Sequence, residues 1–190
     1  MEISIAGPED TNGIREVQYK SWLANTVNEE SGRSCDGANK IRSAPSRDET
    51  LSKENKSKLK NDIQSSRKNS LPGSETFVAK VNQKVIGFCT VVRGSEQNSL
   101  AEIYIIPPFQ GKKIGQRLWD SAHQFIDQNK DTTVALLRFN TPAKKFYEGL
   151  GFAETGVSWE GEDLKSGNGT TVIEMILRAV KCGEPGSDCA

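Results

Sequence analysis

The sequence predicts an α+β domain in which a mixed, mostly antiparallel twisted sheet is flanked by helices. Three neighbouring runs within residues 77–106 are rich in β-branched and aromatic residues and are separated by short polar turns, as in a meander of strands. Two later stretches place apolar residues at helical spacing and alternate with further strands. Because strand-like runs and apolar residues at helical spacing occur within one short chain, helices packed on a sheet are expected.

The N-terminal part predicts one strand and two helices. Ile3–Ala6 alternates as a short strand does, and Asp10 or Thr11 can cap the helix that follows. A second, short amphipathic helix is predicted over Lys53–Ser66, inside a polar segment at about residues 31–74.

The middle of the chain predicts three antiparallel strands. Phe77–Val81 and Lys84–Val92 flank the turn Asn82-Gln83, which suits a hairpin. Leu100–Ile106 forms the third strand, and Pro107-Pro108 ends it because proline cannot continue a ladder of hydrogen bonds.

The C-terminal part predicts two helices and three strands. One helix begins at the cap Thr141 and ends before Gly151. The resulting element order is β-α-α-β-β-β-α-β-α-β-β, within one domain over residues 1–180 that precedes a flexible tail at residues 181–190. The other predicted elements are a helix over Ile114–Asn129 and strands over Val134–Phe139, Phe152–Trp159 and Thr170–Arg178.

Composition excludes several classes of partner. The 25 basic and 25 acidic residues cancel, so no overall field would gather nucleic acid or an anionic membrane. Neither a membrane span nor a leader is predicted, and we expect a cytoplasmic protein. The four cysteines form no CxxC pair, so no metal site is expected. Residues 33–70 carry an excess of Lys and Arg, so a segment that binds nucleic acid is an alternative. No aromatic residues for stacking on bases are interleaved with these charges, which favours a solvated segment instead.

A strand runs through a glycine-containing loop into a helix at residues 105–115, and this junction predicts a phosphate site. Loop and first-turn N–H groups point outward together there, and the helix dipole adds partial positive charge. Gly111 and Gly115 allow close approach of the backbone, while Lys112 and Lys113 supply charge. The loop matches neither a Walker A motif nor GxGxxG.

Two motifs resemble the GNAT superfamily of acetyltransferases. Residues 110–115, Gln-Gly-Lys-Lys-Ile-Gly, resemble its phosphate loop Gln/Arg-x-x-Gly-x-Gly/Ala, with Lys113 in place of the middle glycine. Residues 140–152 are similar to its segment Asn-x-x-Ala-x-x-Phe-Tyr-x-x-x-Gly-Phe. A positive φ at Lys113 would cost about 1 kcal/mol, whereas a negative φ would let the side chain add charge for a phosphate.

The resemblance implies an N-acetyltransferase that moves the acetyl group of acetyl-CoA to a primary amine by direct attack in a ternary complex. Tyr147 would protonate the CoA thiolate, although a core aromatic is the alternative. Asn140 and the backbone of Ile103 and Ile105 would hold the pantetheine arm. The residues expected at the pyrophosphate are Gln110, Gly111, Lys112, Lys113, Ile114, Gly115 and Gln116.

The acceptor side of the site is less defined by the sequence. Glu102 lies on the strand beside the expected thioester and is the candidate general base, with Glu29 and Glu30 as alternative cation-binding groups. A small-molecule amine is the expected acceptor, and a homodimer is among the assemblies that the resemblance suggests. A module that binds CoA or a partner without turnover remains the alternative function.

Overall fold

A computed structural model describes residues 1–26, 72–160 and 171–179, with the side chains of residues 22–26 left out. The predicted helix over Lys53–Ser66 lies outside the described residues. So do most of the polar segment and the predicted tail, and the single-domain boundaries stay a prediction. The elements are β1 (Glu2–Ile5), α1 (Thr11–Thr26), β2 (Ser74–Val81), β3 (Lys84–Val92), β4 (Asn98–Ile105), α2 (Ile114–His123), β5 (Thr132–Leu137), α3 (Thr141–Gly149), β6 (Ala153–Glu160) and β7 (Thr171–Leu177).

The seven strands form one sheet in the order β1-β2-β3-β4-β5-β7-β6. All neighbouring pairs are antiparallel except β4 and β5, which run parallel. The predicted α+β class with a mixed, mostly antiparallel sheet is therefore confirmed.

The hairpin between β2 and β3 forms as predicted. Asn82 and Gln83 both have positive φ, at 49° and 63°, and two successive left-handed residues make the turn whose twist matches that of the flanking strands. β2 and β3 then pair antiparallel from Val81 and Lys84 outward.

Both predicted side-chain caps for α1 are wrong. The Asp10 carboxylate accepts from the backbone N–H of Gly7 at 3.0 Å and pairs with Lys80 Nζ at 2.8 Å, so it anchors the helix start to β2. The Thr11 hydroxyl donates to the Pro8 carbonyl. A short 3₁₀ turn over Pro8–Asp10, with Gly7 as its cap residue, continues directly into α1, so the helical segment begins before both predicted cap positions.

The predicted cap of α3 is wrong by one residue. The Asn140 side chain accepts from the N–H of Ala143 at 3.2 Å, and Thr141 is already the first helical residue. The end of α3 is as predicted, since Gly151 follows it with a φ of +94°. α2 ends at His123, earlier than the predicted Asn129, because the chain tightens after it into turns in which Phe125 N–H donates to the Ala122 carbonyl.

The helices lie on opposite faces of the sheet. α1 contacts β3 and β4 on one face, and Gln18 of α1 reaches Glu102 there. α2 packs on the other face, where Leu118 lies against Gly87 of β3. Cys89 of β3 is a free, fully buried thiol. Among the described residues no helix is long and apolar enough to cross a membrane.

Candidate active site

β4 and β5 separate soon after they begin, and this divergence opens the centre of the sheet. Their parallel pairing is confined to Asn98 with Thr132 and Ser99 with Thr133. The register between β3 and β4 also shifts where Val91 pairs with Leu100, which leaves an extra residue on β4 and bends that strand. The edge of β4 that follows therefore faces a gap.

Asn98 holds the two strands together at the root of this gap. Its side chain is fully buried, and its Nδ2 donates to the carbonyl oxygen of Asp127 at 2.8 Å and of Lys130 at 3.3 Å. The hydroxyl of Thr133 donates back to the Asn98 carbonyl at 3.4 Å. These bonds join β4 to the connection before β5 and determine where the strands diverge.

The backbone of Ile103 and Ile105 points into the gap. Ile106 N–H donates to the Ile86 carbonyl of β3 at 3.0 Å, and in an antiparallel ladder every second residue bonds to the partner strand. The N–H groups of residues 103 and 105 therefore point away from β3, and neither finds an acceptor among the described residues. The Ile105 carbonyl accepts from the Ser21 hydroxyl at 3.1 Å and the Gln110 amide at 2.9 Å.

A row of backbone donors follows β4 at the start of α2. Gln110 N–H donates to the Pro107 carbonyl and Arg117 N–H to the Lys113 carbonyl. None of the N–H groups of residues 111–116 between them donates to a backbone carbonyl within the described part of the chain. A helix start with this many unused donors is suited to an anion.

Lys113 has a φ of 59° and a ψ of 16°, which is the left-handed conformation. Of the two alternatives for this position, the positive φ is therefore the one that the chain adopts, and the negative φ is excluded. A side chain in this conformation costs about 1–2 kcal/mol, a cost that glycine would avoid.

Gly115 allows α2 to approach β4 and α3 closely. A Cβ at this position would lie 3.0 Å from two ring carbons of Phe146 and 3.2 Å from Cδ1 of Ile105. Gly111, in contrast, has φ +72° and no atom within 4 Å of a Cβ position, so its backbone faces open space. The Gln116 side chain is held by Asp120 at 2.9 Å, and Ile114 is buried.

Glu102 lies on the α1 face of the sheet beside the gap. Its Oε1 accepts from Gln18 Nε2 at 2.9 Å. Burial, followed by the Glu102 charge, raises the pKa of both Cys89 and Tyr104. Since side chains alternate along a strand, Ile103 and Ile105 point to the opposite face from Glu102 and Tyr104.

Tyr147 lies on α3, on the other face of the sheet. Its ring is buried against Phe146 and Phe152, with centroids 5.5 Å and 5.8 Å away, as the core alternative expects. Its hydroxyl makes no hydrogen bond to a described residue and is not fully enclosed by them. Burial, followed by nearby Tyr104 and Cys89, raises its pKa.

Other candidate residues have different positions. The Asn140 oxygen caps α3, and its Nδ2 has no hydrogen-bond partner among the described residues. Glu29 and Glu30 lie outside the described residues. His123 packs on Trp119, and burial lowers its pKa. No group of three or more potential metal ligands occurs in the described ranges.

Sequence reasoning missed Gln18, Ser21, Asn98 and Tyr104. The first two act from a helix 84 positions away from their partners on β4, a separation for which the sequence carries no signal. Side chains alternate along a strand, so Tyr104 points to the face opposite to that of Ile103 and Ile105. This alternation can be read from the sequence of the strand.

Comparison with known proteins identifies the domain. Residues 72–154 match the family model of the acetyltransferase (GNAT) domain. A search of curated protein sequences returned no similar protein.

Solved structures share the fold. The ribosomal-protein-S18-alanine N-acetyltransferase from Escherichia coli matches with a TM-score of 0.64 and 15% identity over 96% of both chains. The PaiA N-acetyltransferase from Thermoplasma acidophilum, solved in complex with coenzyme A, matches with a TM-score of 0.55 and 24% identity over 92% of this chain and 98% of that chain. An acetyltransferase from Thermus thermophilus matches with a TM-score of 0.58 and 15% identity over 93% and 97%. Residues 72–154 therefore match the acetyltransferase (GNAT) domain, and the chain has the GNAT fold.

Proposed function

We propose that the protein is an N-acetyltransferase that transfers the acetyl group of acetyl-CoA to a primary amine by direct attack in a ternary complex. The observation that carries this proposal is the gap between β4 and β5. The unpaired edge of β4 and the Glu102 carboxylate lie on this strand, the helix-start donors follow it, and Tyr147 lies near enough to Tyr104 of the same strand for that residue to affect its pKa.

The donors at the start of α2 fit the pyrophosphate of acetyl-CoA. The N–H groups of residues 111–116 would bind its oxygens, and the open space at Gly111 allows the group to approach. Lys112 is exposed in this loop and would add positive charge. Gln110 would act indirectly, since its amide braces the Ile105 carbonyl.

The unpaired N–H groups of Ile103 and Ile105 support binding of the pantetheine arm along β4. In this arrangement an N–H of the strand edge would polarise the thioester carbonyl, and such preorganised donors are commonly a large part of catalysis. The unused Nδ2 of Asn140 is available to the same arm.

The reaction then needs one base and one acid. The amine nitrogen forms a bond to the thioester carbonyl carbon and gives a proton to the Glu102 carboxylate, and the C–S bond breaks as Tyr147 protonates the sulfur. The two residues lie on opposite faces of the sheet on either side of the gap, which suits an acceptor on the α1 face and a leaving group near α3. The raised pKa of Tyr147 keeps its phenol protonated at neutral pH.

The acceptor is a small amine in this proposal, and Glu102 is the charge that would attract its ammonium group. The Escherichia coli enzyme of the same fold is a ribosomal-protein-S18-alanine N-acetyltransferase, so a peptide amine belongs in any acceptor panel. We further propose a cytoplasmic location, and a homodimer as the assembly to test.

Calorimetric titration of acetyl-CoA and thiol release over an amine panel test the proposal. Wild type should bind acetyl-CoA and release thiol, whereas Tyr147→Phe and Glu102→Gln should bind it normally and lower kcat by about 100-fold or more. Glu16→Gln, which removes an exposed pair with Lys20 on α1, is the matched control and should keep full activity. Binding without release from any amine would favour the non-catalytic module, and absence of binding at millimolar acetyl-CoA would refute the proposal.

A further inference from the structure

The Gln18 amide makes a directional contact with the candidate base from another element. Gln18 lies on the third turn of α1, and its Nε2 donates to Oε1 of Glu102 at 2.9 Å. An amide donor to a carboxylate is a charge-assisted hydrogen bond, which stabilises the ionised form of the acid.

The oxygen atom of the Gln18 amide is in an energetically unfavourable environment. Its Oε1 is enclosed and has no hydrogen-bond partner among the described residues. Exchanging the two amide atoms would place Oε1 against the carboxylate oxygen, so the contact with Glu102 fixes the orientation. A buried acceptor without a donor is unfavourable, and a leucine would fill the same volume without that cost. Packing alone therefore does not account for an amide at this position.

We propose that Gln18 is a positioning residue for the acetyl transfer, which fixes the direction of the Glu102 carboxylate and favours its ionised form. The proposal rests on the proposed function, in which Glu102 accepts the proton of the acceptor amine. Gln18 itself takes no proton, because its amide is neutral throughout the pH range of the reaction.

Several other described groups surround Glu102. From β3 and β4, Cys89 and Tyr104 sense the Glu102 charge, and burial keeps both protonated at neutral pH. On α1, Arg15 lies one turn before Gln18, and its Nε is enclosed without a partner among the described residues. β5 contributes the neutral Thr132 and Thr133 at its pairing with β4, and α2 packs on the opposite face.

Two substitutions give an ordered expectation. Gln18→Leu removes the donor at nearly constant volume, so the pKa of Glu102 should rise by about one unit. Gln18→Glu places a second carboxylate beside the first and should raise it further. Because the base must be ionised, the acidic limb of kcat/KM for the amine should move to higher pH by the same amount, with about tenfold lower activity below the limb. The KM for acetyl-CoA should not change.

The experiment combines a ¹³C NMR titration of the full chain, labelled at glutamate carboxyl carbons, with pH–rate profiles. Glu102→Gln identifies the Glu102 resonance, and Glu16→Gln on the same helix as Gln18 serves as the control that should leave both readouts unchanged. A pKa of Glu102 and an acidic limb that rise together in the order wild type, Gln18→Leu, Gln18→Glu would support the proposal.

Each other outcome overturns it and has a distinct meaning. If wild type is active and the pKa of Glu102 does not move, the contact does not control the carboxylate. If that pKa moves but the pH–rate profile stays, Glu102 is not the base that Gln18 positions. If wild type acetylates no amine, the proposed function itself fails, while the NMR titration still reports whether Gln18 controls Glu102.

Discussion

The left-handed backbone of Lys113 makes a prediction about stability that is independent of activity. Lys113→Gly removes the Cβ from a residue with φ 59° at the start of α2, where the contact between Cβ and the backbone is unfavourable. Lys112→Gly is the matched control, because Lys112 is the preceding lysine of the same exposed loop and is not among the described residues with positive φ.

The magnitudes follow from two opposing terms. Relief of the left-handed conformation should contribute about 1–2 kcal/mol, and the greater freedom of glycine in the unfolded chain should remove about 0.4–1 kcal/mol. Lys113→Gly should therefore raise the free energy of unfolding by about 0.5–1 kcal/mol. Lys112→Gly has only the second term and should lower it by about 0.5–1 kcal/mol.

Urea denaturation without acetyl-CoA measures both variants, so that loss of a phosphate contact does not enter. The free energies of unfolding of the two variants should differ by about 1–2 kcal/mol, which corresponds to roughly 2–8 °C in Tm for a chain of this length. Equal stabilities for the two variants would refute the reasoning, since they would mean that Lys113 carries no conformational cost.

Three further predictions concern packing, the root of the gap and the acid. Gly115→Ala should be less stable than Gly149→Ala by about 1–3 kcal/mol in urea denaturation, because the new methyl meets Phe146 at 3.0 Å whereas Gly149 has open space; equal effects would contradict the close packing. Asn98→Ala should lower the free energy of unfolding by about 2–4 kcal/mol through lost hydrogen bonds to buried carbonyls, and Asn98→Asp should lower it more because its carboxylate faces those oxygens; the reverse order would count against this account. Because the pKa of Tyr147 is raised, its phenol should stay protonated to higher pH than an ordinary tyrosine, and kcat should not fall with rising pH up to about pH 10. A fall in kcat near pH 8 that is absent from Tyr147→Phe would contradict this prediction.

Local features of the chain account for much of the fold prediction. The Asn82-Gln83 turn and the strands around it are specified by residues close in sequence, and the turn adopts the expected left-handed conformation. The start of α2 after a glycine-containing loop is likewise read from neighbouring residues. The caps of α1 and α3 were predicted less well, because several adjacent polar residues can cap a helix and the surrounding backbone decides which one does.

The candidate site divides in the same way. Patterns within short stretches of the sequence predict the phosphate loop, the aromatic segment with Tyr147 and the strand with Glu102. Tertiary packing, in contrast, sets the positive φ of Lys113, the separation of β4 from β5 after Ser99 and the contact between Gln18 and Glu102. These features depend on how distant segments pack, and a contact across 84 positions leaves no period or spacing in the sequence from which it can be predicted.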